Sequence, residues 1–89
     1  MLFRSHAEGG VLGGAVILVA EDNADTGLLI RILLERCRAT VMLATNGFDA
    51  LSLFRRCRPS LIISDISMPL MDGYELLDRV RELDLRKVV

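Results

Sequence analysis

Ser64-Asp65-Ile66-Ser67-Met68-Pro69-Leu70-Met71-Asp72-Gly73 decides the fold. Asp65 follows directly on the aliphatic run Leu61 to Ser64, so it ends a strand and points into a loop. Met68-Pro69 reads as a rigid turn, and Asp72-Gly73 as the start of a helix that Asp72 can cap. The same pattern occurs upstream, where Ala15 to Ala20 runs into Glu21-Asp22-Asn23. Continuous aliphatic runs of this length suit parallel strands buried on both faces. In such a sheet ligands sit beyond the strand C-termini, so two adjacent strands ending in acids gather Glu21, Asp22 and Asp65 in one crevice. A cluster of this kind calls for a cation.

Working outward, Asn23 or Asp25 can cap a helix whose Leu28, Leu29, Ile32 and Leu33 mark an apolar face reaching to about Arg38. Thr40 to Ala44 is a second strand. Thr45-Asn46-Gly47 is a turn or cap before a helix from about Phe48 to Cys57, with Ala50, Leu51 and Phe54 on one face and Pro59 as its stop. Beyond Asp72, Tyr74, Leu77 and Val80 line one stripe of a third helix, widened by Leu76 and Leu83. Lys87-Val88-Val89 reads as the opening of a fourth strand. Alternating strands and helices require right-handed crossovers. The expectation is therefore an α/β fold: a three-layer, doubly wound parallel sheet of flavodoxin-like pattern, strand order 2-1-3, with a stub of the fourth strand beside the third. This domain occupies residues 15–89. Residues 1–14, without periodicity and glycine-rich toward their end, read as a flexible N-terminal extension.

Composition narrows the function. A chain of 89 residues allows one short domain, and 52% hydrophobic content with mean hydropathy +0.41 argues against disorder. Eleven basic and 12 acidic residues are interspersed for a net charge of −1, which gives no field for nucleic acid or an anionic membrane. Arg55, Arg56 and Arg58 form a basic cluster that suits a solvated helix end. Cys37 and Cys57 form no metal-binding motif, and the single histidine, His6, lies in the extension, so the cysteines read as reduced thiols of a cytoplasmic protein and zinc is not expected. The uncharged run Gly9 to Ala20 imitates a signal-peptide core, but Glu8 interrupts its basic flank, glycines dilute it, and it is shorter than the roughly 20 residues of a membrane span.

The two acidic motifs, with helix, strand and helix between them, resemble the receiver domain of response regulators in two-component signalling. The resemblance covers about Ala15 to Val89. It implies that Asp65 is the phosphoacceptor, that Asp22, Asp65 and the backbone carbonyl of Ser67 ligate Mg2+, and that Glu21 acts through a water molecule. Glu21 departs from the aspartate usual in the family, which shifts cation geometry more than charge. Met68, Pro69, Asp72 and Gly73 serve the loop and turn. The expected partner is a histidine kinase or phosphotransfer protein, and the expected role is signalling, with no enzymatic activity beyond self-phosphorylation and self-dephosphorylation. Receivers run to roughly 120 residues, so the resemblance implies a C-terminally incomplete domain. The family's Ser or Thr after the fourth strand and Lys after the fifth have no position here, and Lys87 precedes the fourth strand.

Two other readings compete. One is a remnant or interaction fragment that keeps the fold but does not switch. The other, an aspartate-nucleophile phosphatase of the haloacid-dehalogenase type, requires a general acid two positions after the nucleophile, where Ser67 stands. An incomplete sheet would leave the third strand near an exposed edge, through which copies of the chain could self-associate.

Overall fold

The computed structural model describes residues 2–4 and 14–83. Within them lie β1 (Leu2–Arg4), β2 (Val16–Ala20), α1 (Ala24–Arg36), β3 (Thr40–Ala44), α2 (Gly47–Cys57), β4 (Leu61–Ser64) and α3 (Gly73–Leu83). The sheet runs β1-β4-β2-β3. β2 is parallel to both neighbours, with Ala20 level with Ala44 on one side and Ser64 on the other. These three strands give the expected 2-1-3 order and the open, flavodoxin-like sheet. The expected fourth strand at Lys87-Val88-Val89 lies outside the described residues.

Alternation along β2 builds two cores. Leu18 and Ala20 face α2 and α3, packing with Phe54, Ile62, Met71, Leu76 and Val80. Ile17 and Val19 face the other way, with Leu61, Ala39 and the half-buried Ile30 and Leu34 of α1. Burial on both faces explains why β2 is aliphatic throughout. The helices start and stop on local chemistry. Asn23 accepts a hydrogen bond from the Thr26 N–H (3.0 Å), and Asn46 from that of Asp49 (2.8 Å). Arg58 closes α2 in the left-handed region (φ 45°), donating its N–H to the Phe54 carbonyl, with its guanidinium over the Phe54 ring.

Four expectations need correction. Leu2–Arg4, inside the expected flexible extension, form a strand that pairs antiparallel with β4, Leu2 opposite Ile63 and Arg4 opposite Leu61. Three residues are too few for a periodic signal; pairing to a free strand edge, a tertiary event, makes this strand. The sheet is therefore mixed, with one antiparallel edge strand. The same pairing covers the edge of β4 that was expected to mediate self-association. On α1, Leu28, Leu29, Ile32 and Leu33 are exposed, and Gly27, Ile30 and Leu34 face the sheet instead. On α3, Leu76, Leu77 and Val80 are buried, whereas Tyr74 (58% exposed) and Leu83 lie outside the core.

Candidate functional site

The ladder that holds β2, β3 and β4 continues one residue past the strands. The Asp65 N–H donates to the Ala20 carbonyl and the Glu21 N–H to the Ala44 carbonyl, both at 2.9 Å. Glu21 and Asp65 therefore leave the sheet side by side, and Asp22 follows before Asn23 begins α1. The result is a cluster in which carboxylate oxygens of Glu21, Asp22 and Asp65 all lie within 4.8 Å of one another. Glu21 and Asp65 are half-buried and Asp22 is exposed, so the cluster opens to solvent on one side.

Three carboxylates this close disfavour full ionisation. The Glu21 carboxyl is held above its ordinary value of 4.5, chiefly by burial, then by a hydrogen bond shared with Asp65 and by repulsion from Asp65 and Asp22. The donor set is oxygen alone and carries excess negative charge, which fits a hard divalent cation and gives soft metals nothing to prefer.

Beside the cluster lies an open cleft of about 480 Å³, whose walls include Asp22, Ile66, Ser67, Pro69, Asp72 and Tyr74. The chain from Ile66 to Asp72 forms one rim and is tightly specified. Met68 and Met71 are buried as anchors, and Leu70 between them is 81% exposed. The Met71 N–H donates to the Pro69 carbonyl (2.8 Å) across Leu70, whose φ is +72°, so Pro69 to Met71 is a γ-turn of the strained kind. Gly73 closes the loop: its N–H donates to the Ile66 carbonyl at 2.9 Å, and a Cβ there would collide with the carbonyl oxygen of Asp65. Asp72 caps α3 by accepting from the Glu75 N–H (2.8 Å).

The expected site residues thus converge: Glu21, Asp22 and Asp65 form the acidic cluster, Ser67 and Asp72 border the adjoining cleft, Pro69 shapes its rim, and Met68 and Gly73 fix the loop from beneath. Sequence reasoning missed Gly47 and Met71. A Cβ on Gly47 would come within 2.7–2.8 Å of the Met71 side chain, so this glycine is where α2 supports the site loop. It also missed Tyr74, which lines the cleft.

Residues 17–89 match the family model of the response regulator receiver domain. The chain belongs to the response regulator receiver family. It is 52% identical over 67 residues to an uncharacterised 14.6 kDa protein of Leptolyngbya boryana, covering 75% of this chain and 51% of that protein. It is 40% identical over 70 residues to the Regulator of RpoS of Escherichia coli K12, covering 79% of this chain and 21% of that one. Among solved structures, the receiver domain protein of Clostridium thermocellum superposes with a TM-score of 0.78 at 27% identity, covering 82% of this chain and 60% of that one. The chemotaxis protein CheY4 of Vibrio cholerae gives 0.77 at 29%, covering 81% and 60%. This receiver chain therefore spans between a fifth and three fifths of the length of these relatives. As in other receivers, an acidic group stands at the strand ends, and the module is a signalling domain. Both of its cysteines are free, and among the described residues no helix is long and apolar enough to cross a membrane.

Proposed function

We propose that this chain is a phosphoacceptor module of a two-component phosphorelay, taking a phosphoryl group on Asp65 from a histidine kinase or phosphotransfer protein in the cytoplasm. The observation that carries the reading is the convergence of Glu21, Asp22 and Asp65 within 4.8 Å at the ends of two adjacent parallel strands, beside an open cleft. A carboxylate oxygen of Asp65 attacks phosphorus in line. The new O–P bond forms as the bond to the donor's nitrogen or oxygen breaks, and the leaving atom keeps that electron pair. The product is an acyl phosphate, labile enough for a transient signal.

Positioning is the protein's main contribution. The backbone bond to Ala20 fixes where Asp65 leaves the sheet, and the close approach of Gly73 holds its carbonyl. Asp22, Asp65 and the Ser67 carbonyl are the groups that would hold Mg2+ directly, with Glu21 acting through water. When bound, the ion supplies positive charge against the carboxylates and the phosphoryl oxygens. Met68 and Pro69 keep the loop shaped around the cleft, and Asp72 and Gly73 anchor its far end.

Titration with Mg2+, followed by backbone amide shifts, tests the site. Shifts should concentrate at residues 21–23 and 65–68, and Asp65→Asn should weaken binding by about tenfold or more, as losing one charged ligand implies. Shifts centred on Arg55 to Arg58 or on α1 would contradict the reading.

A further inference from the structure

Helix α1 is apolar on two opposite sides, and among the described residues only one of them packs against the sheet. Gly27, Ile30 and Leu34 meet the sheet. Leu28, Leu29, Ile32 and Leu33 are 43 to 57% exposed. At about 100° per residue, the centres of these two faces lie roughly 160° apart around the helix. Four large aliphatic side chains in one patch on a domain this small mark an interaction surface, since scattered single residues are the ordinary case.

The order of residues along the patch names its occupant. Asp25 and Arg36, both exposed, lie on the axis of the stripe at its two ends. The sequence Asp25-x-x-Leu28-Leu29-x-x-Ile32-Leu33-x-x-Arg36 is then symmetric about the midpoint between Ile30 and Arg31, aliphatic matching aliphatic and acid matching base. We propose that this face of α1 packs antiparallel against the same face of a second copy of the chain. In that two-fold arrangement Leu28 lies opposite Leu33 of the second copy, Leu29 opposite Ile32, and Asp25 opposite Arg36, each pair occurring twice. Reversing the pairing direction brings Asp25 to Asp25 and Arg36 to Arg36, so the charges select the antiparallel dimer. Antiparallel helix dipoles act in the same sense. The charges flanking the stripe do not oppose this, because Arg31 already pairs with Glu35 of its own helix at 3.7 Å.

The contact is one helix long, about 20 Å for 13 residues. That is small beside stable interfaces of about 1,200 Å² and above, so the dimer is weak and concentration-dependent. It uses none of the acidic cluster and stands or falls independently of the phosphoacceptor reading.

Sedimentation equilibrium of the chain from about 10 µM to about 1 mM tests it, with two charge variants, Asp25→Lys and Arg36→Glu. The native chain should dimerise reversibly in this range, and either variant alone should loosen association tenfold or more by placing like charges at both ends. An equimolar mixture of the two variants should recover the native affinity within a few-fold, because the mixed dimer restores opposite charges at both ends. That recovery also shows that each variant is folded. A third variant, Leu29→Gln, should abolish association while keeping its helical circular dichroism. A native chain that stays monomeric to 1 mM, as when another segment or a different protein covers this face, overturns the proposal. So does a mixture no tighter than its components, or an association that all three substitutions leave unchanged.

Discussion

Glu21 carries the electrostatic cost of the site. Its carboxyl titrates above its ordinary value in the folded protein, so the fold binds this proton more tightly than the unfolded chain does. Stability from that proton is fully present below pH 4.5 and is lost as pH rises through the raised folded value. Without divalent cation, the protein should therefore lose stability from Glu21 as pH rises above 4.5, and Glu21→Gln should not. Thermal midpoints of the two proteins in a chelating buffer should separate in the variant's favour as pH rises, and a gap independent of pH would contradict this. Gly73 carries a steric requirement at the same site. Gly73→Ala drives a methyl into the Asp65 carbonyl oxygen, where backbone cannot yield, and should cost about 1–3 kcal/mol in denaturant unfolding. An unchanged midpoint would show that the loop relaxes freely.

At the scale of elements, α1 shows where sequence reading succeeds and where it stops. Its start was legible to within two residues, as Asn23 or Asp25, because capping is local chemistry, and the structure places the cap at Asn23. Which side faces inward was not, because Leu28, Leu29, Ile32 and Leu33 form as good a stripe as Ile30 and Leu34 do with Gly27, and periodicity cannot rank two apolar faces. Tyr74 misled for a related reason: its ring falls near the stripe of α3, but the helix turns it toward the cleft. By contrast, Thr40–Ala44 and Leu61–Ser64 were read with the bounds they have, and β2 begins one residue later than expected, since buried parallel strands announce themselves as aliphatic runs. Gly27 offers a test of the assigned inner face. A Cβ there meets Leu43 and Glu21 side-chain atoms at 3.7–3.9 Å, ordinary contact, while a glycine inside a helix is entropically unfavourable. Gly27→Ala should stabilise the domain by about 0.5–1 kcal/mol, read as a higher thermal midpoint. Destabilisation would mean that α1 sits closer to β3 than described.

Across the whole molecule, the three parallel strands and the positions of Glu21, Asp22 and Asp65 followed from two aliphatic runs ending in acids, because strand order alone brings those ends together. The edge strand β1 did not follow, since three residues acquire strand structure only against a partner 57 or more positions away. Nor did the contact between Gly47 and Met71, because a glycine read as a turn says nothing of what approaches it. On the proposed function, this sheet serves to present Asp65 as a phosphoacceptor. The most direct test is to incubate the chain with a small acyl phosphate donor and Mg2+, reduce the product with borohydride, and map the modified residue by mass spectrometry. The expected result is a single phosphoryl-derived modification at Asp65, absent without Mg2+ and absent in Asp65→Asn. Modification at another residue, or none at Asp65 under conditions that label another receiver domain, would contradict it.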